Sequence, residues 1–424
     1  MPNTPVTWRN QFTVNSVTTG SQSDPDIIQL ANGNIVVSWT TSDAGGLGSP
    51  NGNETFAQIY DPLGNRIGGE IRLNNASTSG DEQNADMTAL PGGGFIVVYH
   101  DLDNPSSGGG SNIRLEEYDA NGVQVTESAL VVSDSGAGGD PNYRNPVVAA
   151  SSDTSVLIVY EEVTAGVSNI VAKTYNPSTD TYSGQISLIA FAGGNTDADV
   201  AVLSNGNYVI TSRNLSADTF IGYRIVNSAG VNVLAATRVT GTNTNGEVES
   251  EATVTALTGG GFVIAFTNTD ATDTDIAFRV YNAAGTETAA GFAGSLGGTE
   301  NNNESKVVAL ADGSFVIAWD NDAVLGVDVQ HFSAAGAALG AIFNVSANNA
   351  DSISGIGLAD GRFALVWDVS GSEISMEILD TRDAPNNPGV YAPDQWVVGT
   401  IGDDVFTPAG NAEITHGWRG YSGE

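Results

Sequence analysis

One recurring phrase constrains the fold of this chain more than any other feature. It reads approximately Leu-x-x-Gly-x-Phe-Val-Val-x-Trp: a leucine, a glycine-containing turn, then an apolar run that ends in a large residue. Successive copies end roughly 48 to 61 residues apart. This period exceeds one coil of a β-solenoid and suits a four-stranded propeller blade. The copies occupy residues 30–39, 90–99, 203–212, 257–266, 310–319 and 358–367, with a degenerate copy at 151–160.

Each repeat divides into four short β segments. The first ends at the leucine, and an Asn-Gly, Asp-Gly or Gly-Gly pair then favours a tight hairpin because these residues tolerate positive φ. The second segment is the apolar run, which is typical of a strand buried on both faces. A third and a fourth follow, as in residues 327–336 and 341–349. Helix signals are scarce throughout.

The two ends of the repeat region predict how the ring closes. The last repeat offers three strands, whereas residues 10–16 resemble a fourth strand that has no blade before it. Joining this segment to the last blade as its outer strand removes an open sheet edge. We therefore predict an all-β seven-bladed β-propeller of four-stranded blades over residues 1–380, closed by its N-terminal strand. Residues 381–424 are predicted to form a linker and a short C-terminal extension.

The charge of the chain limits its partners. The 424 residues include 14 Lys plus Arg and 49 Asp plus Glu, which gives a net charge of −35 at pH 7. This acid excess disfavours nucleic acid and anionic lipid, because both are bound through basic surfaces. Hydrophobic residues make up 40% of the chain, enough for a core. Cysteine is absent, which excludes disulfides and thiolate metal sites.

Two segments resemble RTX-type proteins, the hemolysin-type calcium-binding proteins that Gram-negative bacteria secrete. The Asp-Gly-x-Phe-Val core of the blade phrase is similar to propeller repeats found in such proteins, and this likeness covers residues 10–380. Residues 399–411 resemble the start of their Gly- and Asp-rich nonapeptide repeats, which bind calcium. The resemblance implies calcium ligation by Asp403 and Asp404 in a longer chain. The alternative for these two aspartates is a solvated turn.

The same resemblance implies an address for the protein. The N-terminal segment lacks the charged and apolar regions of a Sec signal, and no apolar run approaches the ~18 residues of a membrane helix. Type I secretion, through a C-terminal signal beyond Glu424, is therefore expected. It would place the protein outside the cell or on its surface.

One position of the inner strand provides the first candidate site. Because side chains alternate along a strand, residues at this position should share one level around the central channel. Its three aspartates can chelate a hard cation such as calcium through oxygen. Alternatively, these aspartates pair with Lys306, which occupies the same position in another blade, bind water or help to close the barrel. The position lies four residues before each leucine and holds Asp26, Asp86, Val147, Asp199, Thr253, Lys306 and Ser354.

His100 marks the second candidate site. It follows the aromatic residue of the second repeat and precedes Asp101 and Asp103. A histidine beside carboxylates at a strand end can serve in acid–base chemistry or in binding a ligand or metal; the alternative is a structural role. Two long Gly- and Ser-rich loops, residues 42–54 and 101–111, belong to neighbouring blades, which indicates a binding face.

These observations favour a non-catalytic, carbohydrate-binding, adhesion or surface-assembly module of a secreted RTX-type protein, associated with calcium. The ligand would be a glycan or a surface protein, held by His100, Asp101, Asp103 and Lys306. The alternative is an extracellular polysaccharide lyase or hydrolase on the propeller scaffold, which predicts carboxylates of perturbed pKa at the channel mouth. A plain spacer between other domains also fits. No nucleophile elbow, phosphate loop or zinc-helix motif is present.

Overall fold

The protein is a seven-bladed β-propeller, as the repeat predicts. The structure is a computed structural model. The described segments contain strands and turns without a helix, so none of them could cross a membrane as a helix. The described residues are 4–42, 52–74, 81–102, 111–126, 129–133, 141–189, 191–240, 247–270, 273–294, 302–321, 326–346, 348, 350–369 and 371–382.

Every blade is an antiparallel sheet, and in six of the seven the first strand in sequence is the innermost; in the last blade the innermost strand is β27 and the N-terminal strand is the outermost. Strand β1 (Val6–Thr13) precedes the first complete blade. The first blade consists of β2 (Gln22–Gln29), β3 (Ile35–Thr41), β4 (Glu54–Tyr60) and β5 (Arg66–Arg72). The second consists of β6 (Glu82–Ala89), β7 (Phe95–Asp101), β8 (Asn112–Tyr118) and β9 (Ala129–Val132). The third consists of β10 (Asn142–Ser152), β11 (Ser155–Thr164) and β12 (Val167–Asn176), with β13 (Thr181–Tyr182) and β14 (Ile186–Ile189) both paired to β12.

The remaining blades follow the same order from the channel outward. They are β15 (Asn195–Val202), β16 (Tyr208–Asn214), β17 (Phe220–Val226) and β18 (Asn232–Arg238); β19 (Val248–Ala256), β20 (Phe262–Thr269), β21 (Thr274–Tyr281) and β22 (Glu287–Ala293); β23 (Asn302–Ala309), β24 (Phe315–Asn321), β25 (Gly326–Phe332) and β26 (Phe343–Asn344); and β27 (Ala350–Gly357), β28 (Phe363–Val369) and β29 (Glu373–Asp380), to which β1 adds the fourth strand.

The N-terminal strand closes the ring, as predicted, but it pairs earlier than residues 10–16. Strand β1 is antiparallel to β29, with Val6 opposite Asp380 and Thr13 opposite Ser375. The earlier start follows from Trp8, whose ring is only 4% exposed between the last and first blades. Beyond the strand, the side chain of Asn15 accepts a hydrogen bond from the amide of Ile374 at 2.8 Å, which ends the pairing.

The hydrophobic core lies between blades. Seven clusters of buried residues each draw side chains from two adjacent sheets, so every blade packs on both neighbours. The second strand of each blade is almost entirely buried, because both of its faces meet a neighbouring sheet. Trp39, Trp319 and Trp367, which end the apolar run in three of the repeats, are at most 1% exposed and belong to this core.

Two repeats depart from the expected pattern. In the degenerate third copy, β10 and β11 turn through two residues between Ser152 and Ser155, so the hairpin forms without the usual glycine. In the sixth blade, the outer strand predicted over residues 341–349 shortens to Phe343–Asn344. Val345 continues the contact with β25, because its amide donates to the carbonyl of Val327 at 2.8 Å.

Candidate functional site at the channel mouth

The seven inner-strand residues predicted to line the channel occupy equivalent positions. In every blade, the channel residue pairs with a residue of the second strand, the one just before the large residue that ends the repeated phrase. Asp26 thus pairs with Ser38, and Asp86 with Val98. The same register recurs in the other five blades. The inner strands of successive blades contact one another around the whole ring. One level of the channel therefore carries three carboxylates and one ammonium.

The three channel aspartates join neighbouring blades. The Asp26 side chain accepts a hydrogen bond from the amide of Met87 in the next blade at 3.0 Å. Asp86 accepts from the amide of Val148 at 2.6 Å, and Asp199 accepts from that of Val254 at 2.7 Å. Each carboxylate thus satisfies a backbone donor of the following inner strand. These bonds give the three residues a structural role.

Lys306 balances part of the charge at this level. Burial lowers the pKa of the Lys306 ammonium, but Asp199, Asp26 and Asp86 outweigh that effect and raise it above its usual value. Burial raises the pKa of Asp26 and, together with the charge of Asp26, that of Asp86. Lys306 therefore stays protonated and is poorly suited to act as a base.

The predicted metal and ligand residues fall into three groups. Asp26, Asp86, Asp199 and Lys306 lie together in the channel. Asp103, Asp403 and Asp404 lie outside the described residues. Within the described ranges, no group of three or more His, Asp or Glu side chains is arranged to hold a metal ion. Calcium binding therefore remains a prediction.

His100 and Asp101 have separate surroundings. Asp101 is fully buried and forms an ion pair with Arg114 of the adjacent strand. His100 is 6% exposed, and within the described part of the chain neither of its ring nitrogens has a hydrogen-bond partner. Burial lowers the pKa of His100 to about 4, and the nearby Arg144 adds to this while Asp101 opposes it. His100 is therefore neutral near pH 7.

A second ring of residues, which the sequence analysis missed, surrounds the end of the channel where the inner strands begin. Every inner strand has a β-bulge just before its channel residue, and one bulge residue adopts a left-handed conformation, with φ between 48° and 53°. Such bulges bend a strand and re-aim its side chains. We call this end of the channel the mouth. Its seven bulge residues are Asp24, Asn84, Asn145, Asp197, Glu251, Glu304 and Ser352.

The second strand of each blade ends at the mouth and adds a further residue there. This residue comes directly after the large residue that ends the repeated phrase. Its partner on the inner strand is the residue just before the left-handed one; His100, for example, pairs with Gln83, which precedes Asn84. The position varies strongly in chemistry from blade to blade, unlike the apolar run before it. That variation was visible in the sequence and was the available signal for the mouth. The seven residues are Thr40, His100, Glu161, Arg213, Thr267, Asp320 and Asp368.

Carboxylates dominate one side of the mouth. Asp368 pairs across the strands with Asp351, and directly opposite residues of antiparallel strands have Cβ atoms about 4.5–5.5 Å apart. Asp368 is 4% exposed, whereas Asp351 is exposed. Burial raises the pKa of Asp368 to about 7, and the negative charges of Asp351, Asp24 and Glu304 add to this shift. Asp368 therefore keeps a large share of its protonated form near neutral pH, beside the exposed side chain of Asp351.

Basic residues occupy the other side of the mouth. Arg144 donates from Nε to Glu161 at 2.9 Å, and its side chain is 44% exposed. Glu161 also accepts a hydrogen bond from the amide of Asp197 in the next blade at 3.0 Å. Arg213 lies 3.8 Å from the carboxylate of Asp197. The third and fourth blades therefore carry a line of charged residues in which two arginines flank two carboxylates, next to the buried imidazole of His100.

Comparison with known proteins supports the propeller fold but assigns the chain to no family. No protein-family model matches the chain, and no curated protein matches its sequence. A protein of unknown function from Dyadobacter fermentans matches with 11% identity and a TM-score of 0.52, covering 89% of this chain and 99% of that one. An alpha-L-arabinanase from Penicillium chrysogenum, complexed with arabinobiose, matches with 13% identity, a TM-score of 0.50 and the same coverage. At these identities the likeness shows the propeller alone.

Proposed function

We propose that the protein is a glycan hydrolase whose active site is the acidic side of the channel mouth. The observation that carries this proposal is the pair Asp368 and Asp351. One carboxyl group is buried and holds its proton near pH 7, while its cross-strand neighbour is exposed. A buried carboxyl group of raised pKa that can donate a proton, beside a second carboxyl group, is the usual machinery of glycoside hydrolysis.

The two groups have complementary roles in this proposal. Asp368 donates its proton to the glycosidic oxygen as the bond from that oxygen to the anomeric carbon breaks. Asp351 takes a proton from the water that attacks the same carbon, or attacks the carbon itself before water releases the sugar. Either course consumes one water and regenerates Asp368 by returning a proton to it. The nearby Asp24 and Glu304 keep the Asp368 proton in place by their negative charge.

The comparisons support this proposal over the non-catalytic one. The arabinanase from Penicillium chrysogenum shares the propeller and was solved in complex with arabinobiose. The adhesion module of an RTX-type protein gains no support from them. Secretion, surface assembly and a protein ligand remain predictions from the sequence resemblance. A glycan as the partner fits both the proposal and the earlier interpretation.

The test is a hydrolysis assay on a panel of polysaccharides that includes arabinan, with release of reducing sugar as the readout. We expect the wild-type chain to cleave at least one member, and Asp368→Asn to lower that rate by roughly 100-fold or more, because a general acid contributes on this scale. Asp153→Asn is the control. Asp153 is exposed on the first-to-second-strand turn at the opposite end of the channel, where it accepts a hydrogen bond from the amide of Gly92. Cleavage that survives in Asp368→Asn, or no cleavage of any member, would overturn the proposal.

A further inference from the structure

We infer that the basic side of the mouth binds an anionic group of the sugar substrate, a carboxylate or a sulfate, with Arg213 as its main ligand. This inference rests on the proposed function, since it names the substrate class for the same site. It assigns opposite tasks to the two sides of the mouth. The acidic side cleaves the bond, and the basic side selects an acidic glycan.

Arg213 carries hydrogen-bond donors that the protein leaves without partners. A guanidinium has five N–H donors in a planar fork that matches a carboxylate or sulfate. In the described part of the chain, the one charged neighbour of Arg213 within ion-pair distance is Asp197, and that contact is long at 3.8 Å. Its Nε atom is buried without a hydrogen-bond partner. Such a group would be costly unless a ligand completes it.

The exposure of Arg213 makes its fork accessible. Its side chain is 30% exposed, between full burial and a freely solvated surface arginine. Arg238, on the outer strand of the same blade, shows the ordinary arrangement. It contacts Asp218 at 2.6 Å and lies with its guanidinium carbon 3.6 Å from the centre of the Phe220 ring. Arg213 has no comparable set of contacts within the described segments.

Two further groups stand beside Arg213 along the same wall. Arg144 donates from Nε to Glu161, and its side chain is 44% exposed. Its other guanidinium nitrogens carry further N–H donors. His100 is buried without a hydrogen-bond partner in the described segments, and Arg144 is close enough to influence its charge. A neutral imidazole can donate to or accept from a sugar hydroxyl. The wall therefore offers two cationic forks and one neutral ring, with the carboxylates of Glu161 and Asp197 between the two forks.

The overall acidity of the chain makes this local arrangement more informative. A net charge of −35 repels anions at long range, but salt at physiological strength screens charges beyond about 8 Å. A bound anion would therefore experience mainly the groups that it touches. Two of only 14 basic residues in the chain stand on this one wall of the mouth.

The test is calorimetric binding to three probes: a galacturonic acid trisaccharide, its methyl ester, and a sulfated galactose oligosaccharide. The ester removes the charge and keeps the sugar. Asp368→Asn is used as the host, so that cleavage does not interfere. We expect the free acid to bind roughly tenfold or more tightly than the ester, because charge-assisted hydrogen bonds contribute on this scale. Adding Arg213→Gln should abolish that preference. Tighter binding of the sulfated probe would identify sulfate as the anion.

The matched control is Arg224→Gln in the same blade, since Arg224 donates to the Leu188 carbonyl on the outer part of the sheet. It should keep the preference for the acid. Arg213→Lys keeps the charge and loses the fork, so it should retain part of the preference for the acid. It also provides a second variant in case Arg213→Gln misfolds, and a thermal melt checks the folding of both. Equal binding of acid and ester, no binding of either charged probe, or a preference that survives Arg213→Gln would overturn the inference. An Arg213-dependent preference without any cleavage by the wild type would sustain the inference and reject the hydrolase.

Discussion

The carboxylate of Asp26 in the first blade lies 3.0 Å from the backbone nitrogen of Met87 in the second and accepts its hydrogen bond. The hydroxyl of Ser354 in the last blade donates to the other oxygen of Asp26 at 3.1 Å. One side chain thus links three consecutive blades at the point where the ring closes. The residues that looked most like metal ligands in the sequence are therefore also interblade joints.

Removing the Asp26 joint should destabilise the fold. Asp26→Ala leaves the Met87 amide without its acceptor, and we expect the free energy of unfolding to fall by roughly 1–3 kcal/mol. Asp26→Asn should lose much less, because the amide oxygen can still accept the bond. Urea unfolding measures both. Glu287→Ala, at an exposed position of β22, is the control and should change stability by about 0.5 kcal/mol or less. Equal losses for the alanine and asparagine variants would contradict this role.

Glu377 should make stability depend on pH. It is 4% exposed, and burial raises its pKa from 4.5 to about 7, although Thr7 donates to it at 2.6 Å. The folded state therefore holds the proton more tightly than the unfolded chain. Its contribution to stability is full below pH 4.5 and is lost as pH rises through about 7. Glu377→Gln should exceed the wild type at pH 8 by on the order of 1–3 kcal/mol, and by little at pH 4.

Denaturant unfolding at the two pH values checks this expectation. Glu373→Gln is the matched control, because Glu373 lies on the same strand and accepts a hydrogen bond from Thr13 of the same N-terminal strand at 3.2 Å. It is only half-buried. The same gain at both pH values in Glu377→Gln would show that the proton on Glu377 is not responsible.

The N-terminal strand should contribute through Trp8. Its ring is buried, and the guanidinium carbon of Arg362 stands 3.8 Å from the ring centre. Trp8→Ala should lower the free energy of unfolding by about 3–5 kcal/mol, as for other large aromatic residues removed from cores. Val6→Ala, at the 40% exposed start of the same strand, should have little effect. A loss below about 1 kcal/mol for Trp8→Ala would mean that the strand closes the ring without this anchor.

His100 should remain neutral well below the pH at which histidines usually titrate. Burial lowers its pKa from 6.5 to about 4, with Arg144 adding to the shift. Its imidazole resonances, followed by NMR, should stay constant from pH 8 to pH 5.5 and move only as the pH approaches 4. The His100→Gln spectrum provides the assignment. A midpoint near 6.5 would show that the ring is solvated, and it would remove His100 from the basic wall of the mouth.

The repeat made the ring predictable and left the site mostly hidden. Blade number and closure followed from the spacing of the phrase and from the unpaired segment before it, because each blade needs neighbours on both faces. Asp368 and Arg213 were missed for a physical reason. Their importance depends on burial and on neighbours from other strands, such as Asp351 and Asp197, and these lie far enough away in sequence that no motif links them. The bulge residues were hidden too, since nothing in Glu251 or Glu304 predicts a left-handed backbone.

The pairing of β1 with β29 has a mechanical consequence. Because Val6 lies opposite Asp380, the chain enters and leaves the propeller at the same end of this ladder. A force applied through the two flanking segments would separate the strands like a zipper, loading one pair of hydrogen bonds at a time. Single-molecule pulling should then open the ring at a lower force than pulling across a blade in the direction of its strands. The first structural loss under tension would then be β1, the outer strand of the last blade, while the strands that form the mouth stay paired.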